Sequence, residues 1–248
     1  MDESSVPTDV IVDVRELSKV YQIGTAPPVV ALNQVSLRLT RGTFAAVVGT
    51  SGSGKSTLLN MLGGLEKPTA GEVWVADQPL HRFNEDQLVT FRRENVGFVF
   101  QSFNLISSMT AVENVAFPLV FQGMGKAERL ARATITLRQM GLGDHLHHQP
   151  TQLSGGQQQR VGIARALVVK PRIVFADEPT GNLDSHTAET TLRLFQQLSR
   201  RFHQTWVMVT HDQHLASFAD VIIHLRDGRI TALDKTTTSV VVGQEPHR

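Results

Sequence analysis

The chain has 248 residues, 41% hydrophobic and 19% charged, an ordinary globular composition at a length that buries about 70–75% of the unfolded surface. Its 24 Lys and Arg stand against 23 Asp and Glu for a net charge of +1, which gives no electrostatic footprint for nucleic acid or an anionic membrane surface. With 0 cysteines, disulfides and thiolate metal sites are excluded, and a reducing compartment fits.

Residues 1–9 are polar and acidic and read as a flexible lead-in without the pattern of a signal peptide. From Val10 to Leu39 the pattern is strand-like, clearest where Val35, Leu37 and Leu39 alternate with Ser36 and Arg38, with residues 24–28 as an interrupting turn or loop. The apolar run Thr43 to Val48 predicts a buried strand leading into Gly49. Leu58, Leu59, Met61 and Leu62 then mark a helix stopped by Gly63 and Gly64. Glu72 to Ala76 is a further short strand. Asn84 with Gln87, and Thr110 with Glu113, have capping-box spacing, and Glu128 to Met140 predicts a helix that ends at Gly141.

No strand is expected between Thr110 and Gln152, so the middle of the chain reads as a helical subdomain, about 106–157, inserted into an α/β core. Strand signals return at Ile173 to Ala176, Trp206 to Val209 and Val221 to Leu225. Asp227-Gly228 before Arg229-Ile230 is a two-residue hairpin signal. Strands alternating with helices imply a mostly parallel sheet covered on both faces. The domain is expected to span 10–233, with 234–248 as a tail. No apolar run reaches the roughly 18–20 residues that cross a bilayer, so work at a membrane would need another chain to supply the membrane part.

Two segments carry chemistry on their own residues. Gly49-Thr50-Ser51-Gly52-Ser53-Gly54-Lys55-Ser56, followed by Thr57, matches the phosphate-binding P-loop between a buried strand and a helix. Its glycines let successive backbone N–H groups converge on an anion, and the helix adds the positive end of its dipole. Lys55 can reach the β- and γ-phosphates of ATP, and the Ser56 hydroxyl is a hard oxygen ligand for Mg2+. The second segment, Ile173 to Ala176, is an apolar strand that ends in Asp177 and Glu178. Pro179 cannot continue the ladder, so both acids sit at the strand end, where open α/β sheets bind ligands. Asp177 is the candidate to hold Mg2+, and Glu178 to polarise the attacking water as general base or orienter.

With these motifs in order, the chain resembles the ATP-binding subunits of ABC transporters from about Val10 to Leu233. The resemblance rests also on Leu153-Ser154-Gly155-Gly156-Gln157, which matches the family signature, and on Gln101 after the Val96 to Phe100 strand. Gly181-Asn182-Leu183-Asp184 and His211, after Val207 to Thr210, complete it. It implies a RecA-like P-loop core with an antiparallel β subdomain and the inserted helical subdomain. By the same resemblance Gln101 senses Mg2+ and the attacking water, His211 is the switch histidine, and Tyr21 stacks on adenine. Residues 154–156 also open a helix, a second anion-binding N-terminus that one nucleotide cannot share if the two lie on separate subdomains. In the family Ser154 of one copy would cap the γ-phosphate held at Lys55 of the other, a two-fold pair with two composite sites.

Leu62-Gly63-Gly64-Leu65 and Glu178 to Asp184 further resemble the branch of the LolCDE, MacB and FtsE–FtsX systems. That branch implies an FtsX-like or MacB-like integral membrane permease as partner, a place on the cytoplasmic face of the membrane, and room for an accessory protein on the periplasmic or extracellular side. A groove of the helical subdomain would receive the permease, with Phe103, Leu105, Val112 and Val115 as its lining or as plain core. Export, lipoprotein release and FtsE-like signalling without transport stay open, as does a non-transporter ATPase acting on DNA or ribosomes. Against that last reading, no tandem unit, zinc insert or coiled coil is visible. His145, His147 and His148 lack a carboxylate partner at metal-binding spacing and read as a linker.

Overall fold

The computed structural model describes residues 9–22, 24 and 26–236. Most of the expected lead-in and tail lies outside these residues.

Strands β1 (Val10–Tyr21) and β2 (Val29–Thr40) form an antiparallel hairpin. β3 (Phe44–Val48), buried at every position, leads through the glycine loop into α1 (Lys55–Leu62). β4 (Ala70–Val75) and the short β5 (Gln78–Pro79) complete a sheet of order β2-β1-β4-β5. Helix α2 (Glu85–Asn95) and strand β6 (Val96–Phe100) follow, and α2 starts on the Asn84–Gln87 capping box.

From there to β7 (Ile173–Asp177) the described chain is helical or irregular: α3 (Ala111–Ala116), α4 (Lys126–Gln139) and α5 (Gly155–Leu167). Thr110 and Glu113 cap α3 reciprocally as their spacing predicts. Then come α6 (Ser185–Phe202), β8 (Thr205–Thr210), α7 (Gln213–Ala216), β9 (Val221–Arg226) and β10 (Arg229–Lys235). At the β9–β10 turn Asp227 and Gly228 both have positive φ, 50° and 73°, as a two-residue primed turn requires.

The second sheet has the order β10-β9-β3-β8-β7-β6, parallel from β9 to β6 with β10 antiparallel at its edge. Alternation along its strands divides the core in two. Ala45, Val47, Ile173, Phe175, Val207 and Val209 face a cluster closed by α1, α2 and the antiparallel sheet. Their neighbours Phe44, Ala46, Val174, Ala176, Trp206 and Met208 face a cluster closed by α3 to α6. A sheet covered on both faces needs apolar residues at every position, which is why these strands read as continuous apolar runs. Trp206 and Phe195 meet in the second cluster with ring centroids 4.6 Å apart.

Of the two readings open for the candidate groove residues, packing favours core: Val112 and Val115 are buried within the second cluster, and Leu105 packs against it. α3 turns its apolar face to α4 and α5. The open apolar groove of about 570 Å3 lies beside it instead, lined by Val89, Phe98, Phe100, Pro118, Phe121 and Val169 among others. Phe103 is half-buried under the side chain of Arg165, which donates to its carbonyl at 2.8 Å.

Candidate nucleotide site

The phosphate loop leaves β3 at Gly49, where a Cβ would stand 2.2 Å from the Leu225 carbonyl oxygen, so only glycine fits. Gly54 takes φ 93° as the N-cap of α1, a left-handed conformation that costs other residues. Together these turns bring the first N–H groups of α1 back over the end of the sheet. Lys55 Nζ donates to the Gly49 and Thr50 carbonyls, both at 3.0 Å, which fixes its ammonium over the loop. A cleft of about 630 Å3 opens here, and Ser51, Gly52, Gly54, Lys55, Ser56 and Thr57 share its wall with Glu178 and His211.

The sheet supplies the acids. β7 lies two strands from β3, with β8 between them, and its last residue, Asp177, accepts a hydrogen bond from the Ser56 hydroxyl at 3.3 Å. Burial pushes the Asp177 carboxyl up from its ordinary value. The Ser56 bond pulls the other way, Glu178 adds to the rise, and Lys55 opposes it. A hard hydroxyl oxygen beside a partly desolvated carboxylate short of positive charge is a donor set that suits Mg2+. Ser56 and Asp177 would hold the ion, which would supply neutralisation of phosphate charge.

Glu178 adopts φ 43°, which breaks the strand and turns its side chain out beside Asp177. Its N–H donates to the Val209 carbonyl at 3.0 Å, and its Oε1 lies 3.1 Å from His211 Nδ1. His211 follows β8, so parallel pairing of β7 with β8 brings the two side chains together. Gln101 follows β6, whose Phe100 pairs with Asp177, and is therefore delivered to the same sheet end. It rests on the next loop: a Cβ on Gly181 would fall 2.6 Å from Gln101 Nε2, and Asn182 Nδ2 donates to the Gln101 carbonyl at 3.0 Å.

Tyr21 stands at the end of β1 and does not itself line the cleft; its strand partner Val29 does, with Val30. These two exposed valines line the cleft, and no sequence motif picks them out. Their signal is a pair of apolar residues directly after the residue 24–28 loop.

Ser154, Gly155, Gly156 and Gln157 do not line the Lys55 cleft. Ser154 caps α5 in a capping box: its Oγ accepts from Gln157 N at 3.3 Å, and its N–H donates to Gln157 Oε1 at 2.8 Å. A hydroxyl that accepts in this way keeps its own proton to donate. The helix end borders the first turn of α6, where a Cβ on Gly156 would stand 2.9 Å from Thr187 Cγ2, and the loop before it, where one on Gly155 would stand 3.7 Å from Leu183 Cδ2. His145 and His148 lie ring against ring at 5.0 Å, and among the described residues no histidine and carboxylate cluster suited to a metal occurs.

Residues 32–181 match the family described as ABC transporter. The chain is 45% identical over 221 residues to the macrolide export ATP-binding/permease protein MacB of Wolinella succinogenes, covering 89% of the chain and 34% of that protein. It is 44% identical over 225 residues to an uncharacterized ABC transporter ATP-binding protein of Thermotoga maritima, covering 91% of the chain and 95% of that protein. The chain spans 31–36% of the length of the first MacB relatives it matches. Among solved structures, the dimeric post-hydrolysis state of the ATP-binding cassette MJ0796 bound to ADP and Pi superposes with a TM-score of 0.84 at 43% identity, over 92% of this chain and 100% of that one. Family match, relatives and fold agree with the loop, the paired acids and the signature helix: the chain belongs to the ABC transporter family.

Proposed function

We propose that this chain is the ATP-hydrolysing subunit of an ABC transporter, acting as a pair that closes on ATP and drives an FtsX-like or MacB-like permease. One observation carries the reading: Lys55, Ser56, Glu178 and His211 border one cleft, Asp177 is bonded to Ser56, and no residue of the signature 154–157 of the same chain lines that cleft.

The chemistry follows from the side chains. Loop N–H groups, Lys55 and the α1 dipole hold the phosphates. Glu178, oriented by His211, takes the proton of a water aimed at the γ-phosphate, and Gln101 from the next strand positions that water. Ser154 of a second copy, with the N-terminus of its 13-residue helix α5, supplies the missing wall and donates to the γ-phosphate. Hydrolysis removes the group that both copies grip, so the pair opens, and an open–close cycle results.

Among the described residues no helix is long and apolar enough to cross a membrane. On this reading the permease is a separate chain or segment, and the subunit sits peripherally on the inner face of the membrane. The groove of Val89, Phe98, Phe100, Pro118 and Phe121, where Phe121 is 60% exposed, is the surface that receives it. Cargo selection belongs to the partner chains. The test is affinity purification from membranes with phosphate-release assays on the product. Recovery of an FtsX-like or MacB-like permease and Mg2+-dependent ATP hydrolysis are expected. Recovery of nucleic acid or ribosomes in place of a permease would overturn the reading.

A further inference from the structure

Tyr21 is the single tyrosine of the chain, and its side chain is tied from behind. Its hydroxyl donates to Glu66 Oε2 at 2.7 Å, and Glu66 Oε1 accepts from Asn60 Nδ2 at 3.0 Å. Lys19 Nζ lies 3.3 Å from Glu66 Oε2 and 4.9 Å from the centroid of the Tyr21 ring, and also donates to the Lys67 carbonyl at 2.9 Å. Asn60 belongs to α1, the helix that begins at Lys55. The brace therefore fastens the aromatic ring to the element that carries the phosphate loop.

The charges agree with the geometry. Burial works to raise the Glu66 carboxyl, but bonds from Tyr21, Asn60 and Lys19 prevail and hold it below the usual carboxylate range. Burial, then the Glu66 bond, pushes the Tyr21 phenol up, against an opposing interaction with Thr57 of α1. The carboxylate thus stays ionised and the phenol stays a donor. Lys19 lies over one face of the ring in cation–π contact, so a stacked base would take the other.

We propose that Glu66, anchored to α1 through Asn60, is a positioning residue that fixes the Tyr21 ring for stacking on the nucleotide base before the nucleotide arrives. This rests on the reading of Tyr21 as the base-stacking residue. Without the brace the ring at a strand end is free to rotate, and every binding event must immobilise it. With the brace, that ordering is complete on folding.

The test compares Mg2+-ATP with Mg2+-tripolyphosphate, which has no base, by titration calorimetry on the full chain. Glu66→Gln is expected to weaken ATP about three- to tenfold, the cost of ordering one side chain on binding. Tripolyphosphate should change by less than about twofold, the usual error of such comparisons. Tyr21→Phe removes the same hydroxyl bond together with the Thr57 interaction and should weaken ATP by at least the same factor, with no added loss when Glu66→Gln is combined with it. Because tyrosine is single, absorbance of the phenolate reports Tyr21 alone, and its ionisation should move to lower pH in Glu66→Gln. Tyr21→Ala separates the two readings, with an expected loss of about tenfold or more from the missing stack. If Tyr21→Ala weakens ATP while Glu66→Gln and Tyr21→Phe do not, the positioning role is overturned and the stacking role stands. If Tyr21→Ala has no effect, both fall. Equal loss of ATP and tripolyphosphate also overturns it, since the damage then reaches the phosphate loop. Should Glu66→Gln fail to fold, Tyr21→Phe tests the same bond from its other end, with the same two outcomes.

Discussion

Glu178→Gln isolates the chemical step. The substitution keeps the shape of the side chain, its strand-end position at φ 43° and the backbone bond to the Val209 carbonyl. It removes the charge and the capacity to take a proton. A positioned proton acceptor contributes about 10²–10⁴-fold, so turnover should fall at least about 100-fold, or about 2.7 kcal/mol of barrier. Affinity for ATP should survive, because the proposed phosphate contacts belong to the glycine loop and Lys55. The charge of Glu178 also helps push the neighbouring Asp177 carboxyl up, so its loss eases ionisation of the metal-site acid. Phosphate release at saturating Mg2+-ATP, with calorimetry in parallel, reads both quantities. Turnover within about threefold of the parent would refute the proton-acceptor role, since that is below the smallest such effect.

Other residues of the site give separate outcomes. Ser154→Arg should keep ATP binding at Lys55, because Ser154 does not line that cleft, yet abolish nucleotide-dependent dimers in light scattering; an unchanged dimer would count against the composite site. Gly181→Ala places a methyl 2.6 Å from Gln101 Nε2, the far end of a side chain that can swing aside. Melting should hardly move while kcat drops about ten- to a hundredfold, and normal kcat would remove Gln101 from the reaction. Asp177 has a raised folded pKa, chiefly through burial. The folded chain therefore holds this proton more tightly than the unfolded one, and stability is lost as pH rises through the window between the two values. Asp177→Asn should melt higher than the parent at neutral pH without Mg2+ and nucleotide. That gain should shrink as pH falls through the same window and vanish below the unfolded carboxylate range, and a lower melting point at pH 7 would contradict it.

What could be foreseen in the sequence tracks how local each feature is. The phosphate loop is a strand, a glycine turn and a helix within residues 43–62, so pattern alone places Lys55 and Ser56 correctly on α1. The capping boxes at Asn84 and Thr110 are local in the same sense. α6 was legible too, since Ala188, Leu192, Phe195 and Leu198 repeat at helical spacing and are all buried, although it is not among the predicted elements. Residues joined only by tertiary pairing were not. Glu66 meets Tyr21 across 45 positions of sequence, through pairing of β1 with β4. Val112 and Val115 illustrate the converse: periodicity shows that α3 has an apolar face, not whether that face meets core or partner. The packing of α3 on α4 and α5 settles it in favour of core.

The same packing explains how a groove and a nucleotide cleft on one chain can be linked. α5 begins at the signature and packs on β6, the strand that delivers Gln101. Near the other end of α5, half-buried Arg165 donates to the carbonyls of Phe103 and Asn104. Those two residues hold left-handed φ of 58° and 49°, a conformation that non-glycine residues keep only when neighbours over-determine it. Arg165 also lines the groove with Phe98, Phe100 and Asn104. A segment seated there thus touches the clamp that holds the chain just after Gln101, on the helix whose first residues would meet the γ-phosphate of a partner copy. If seating shifts that clamp, it changes affinity at the cleft, and reciprocity of linkage requires nucleotide binding to change affinity at the groove by the same factor. Helix α5 thus joins the apolar groove, the end of the Gln101 strand and the signature by direct contacts, a contiguous route along which such coupling would run.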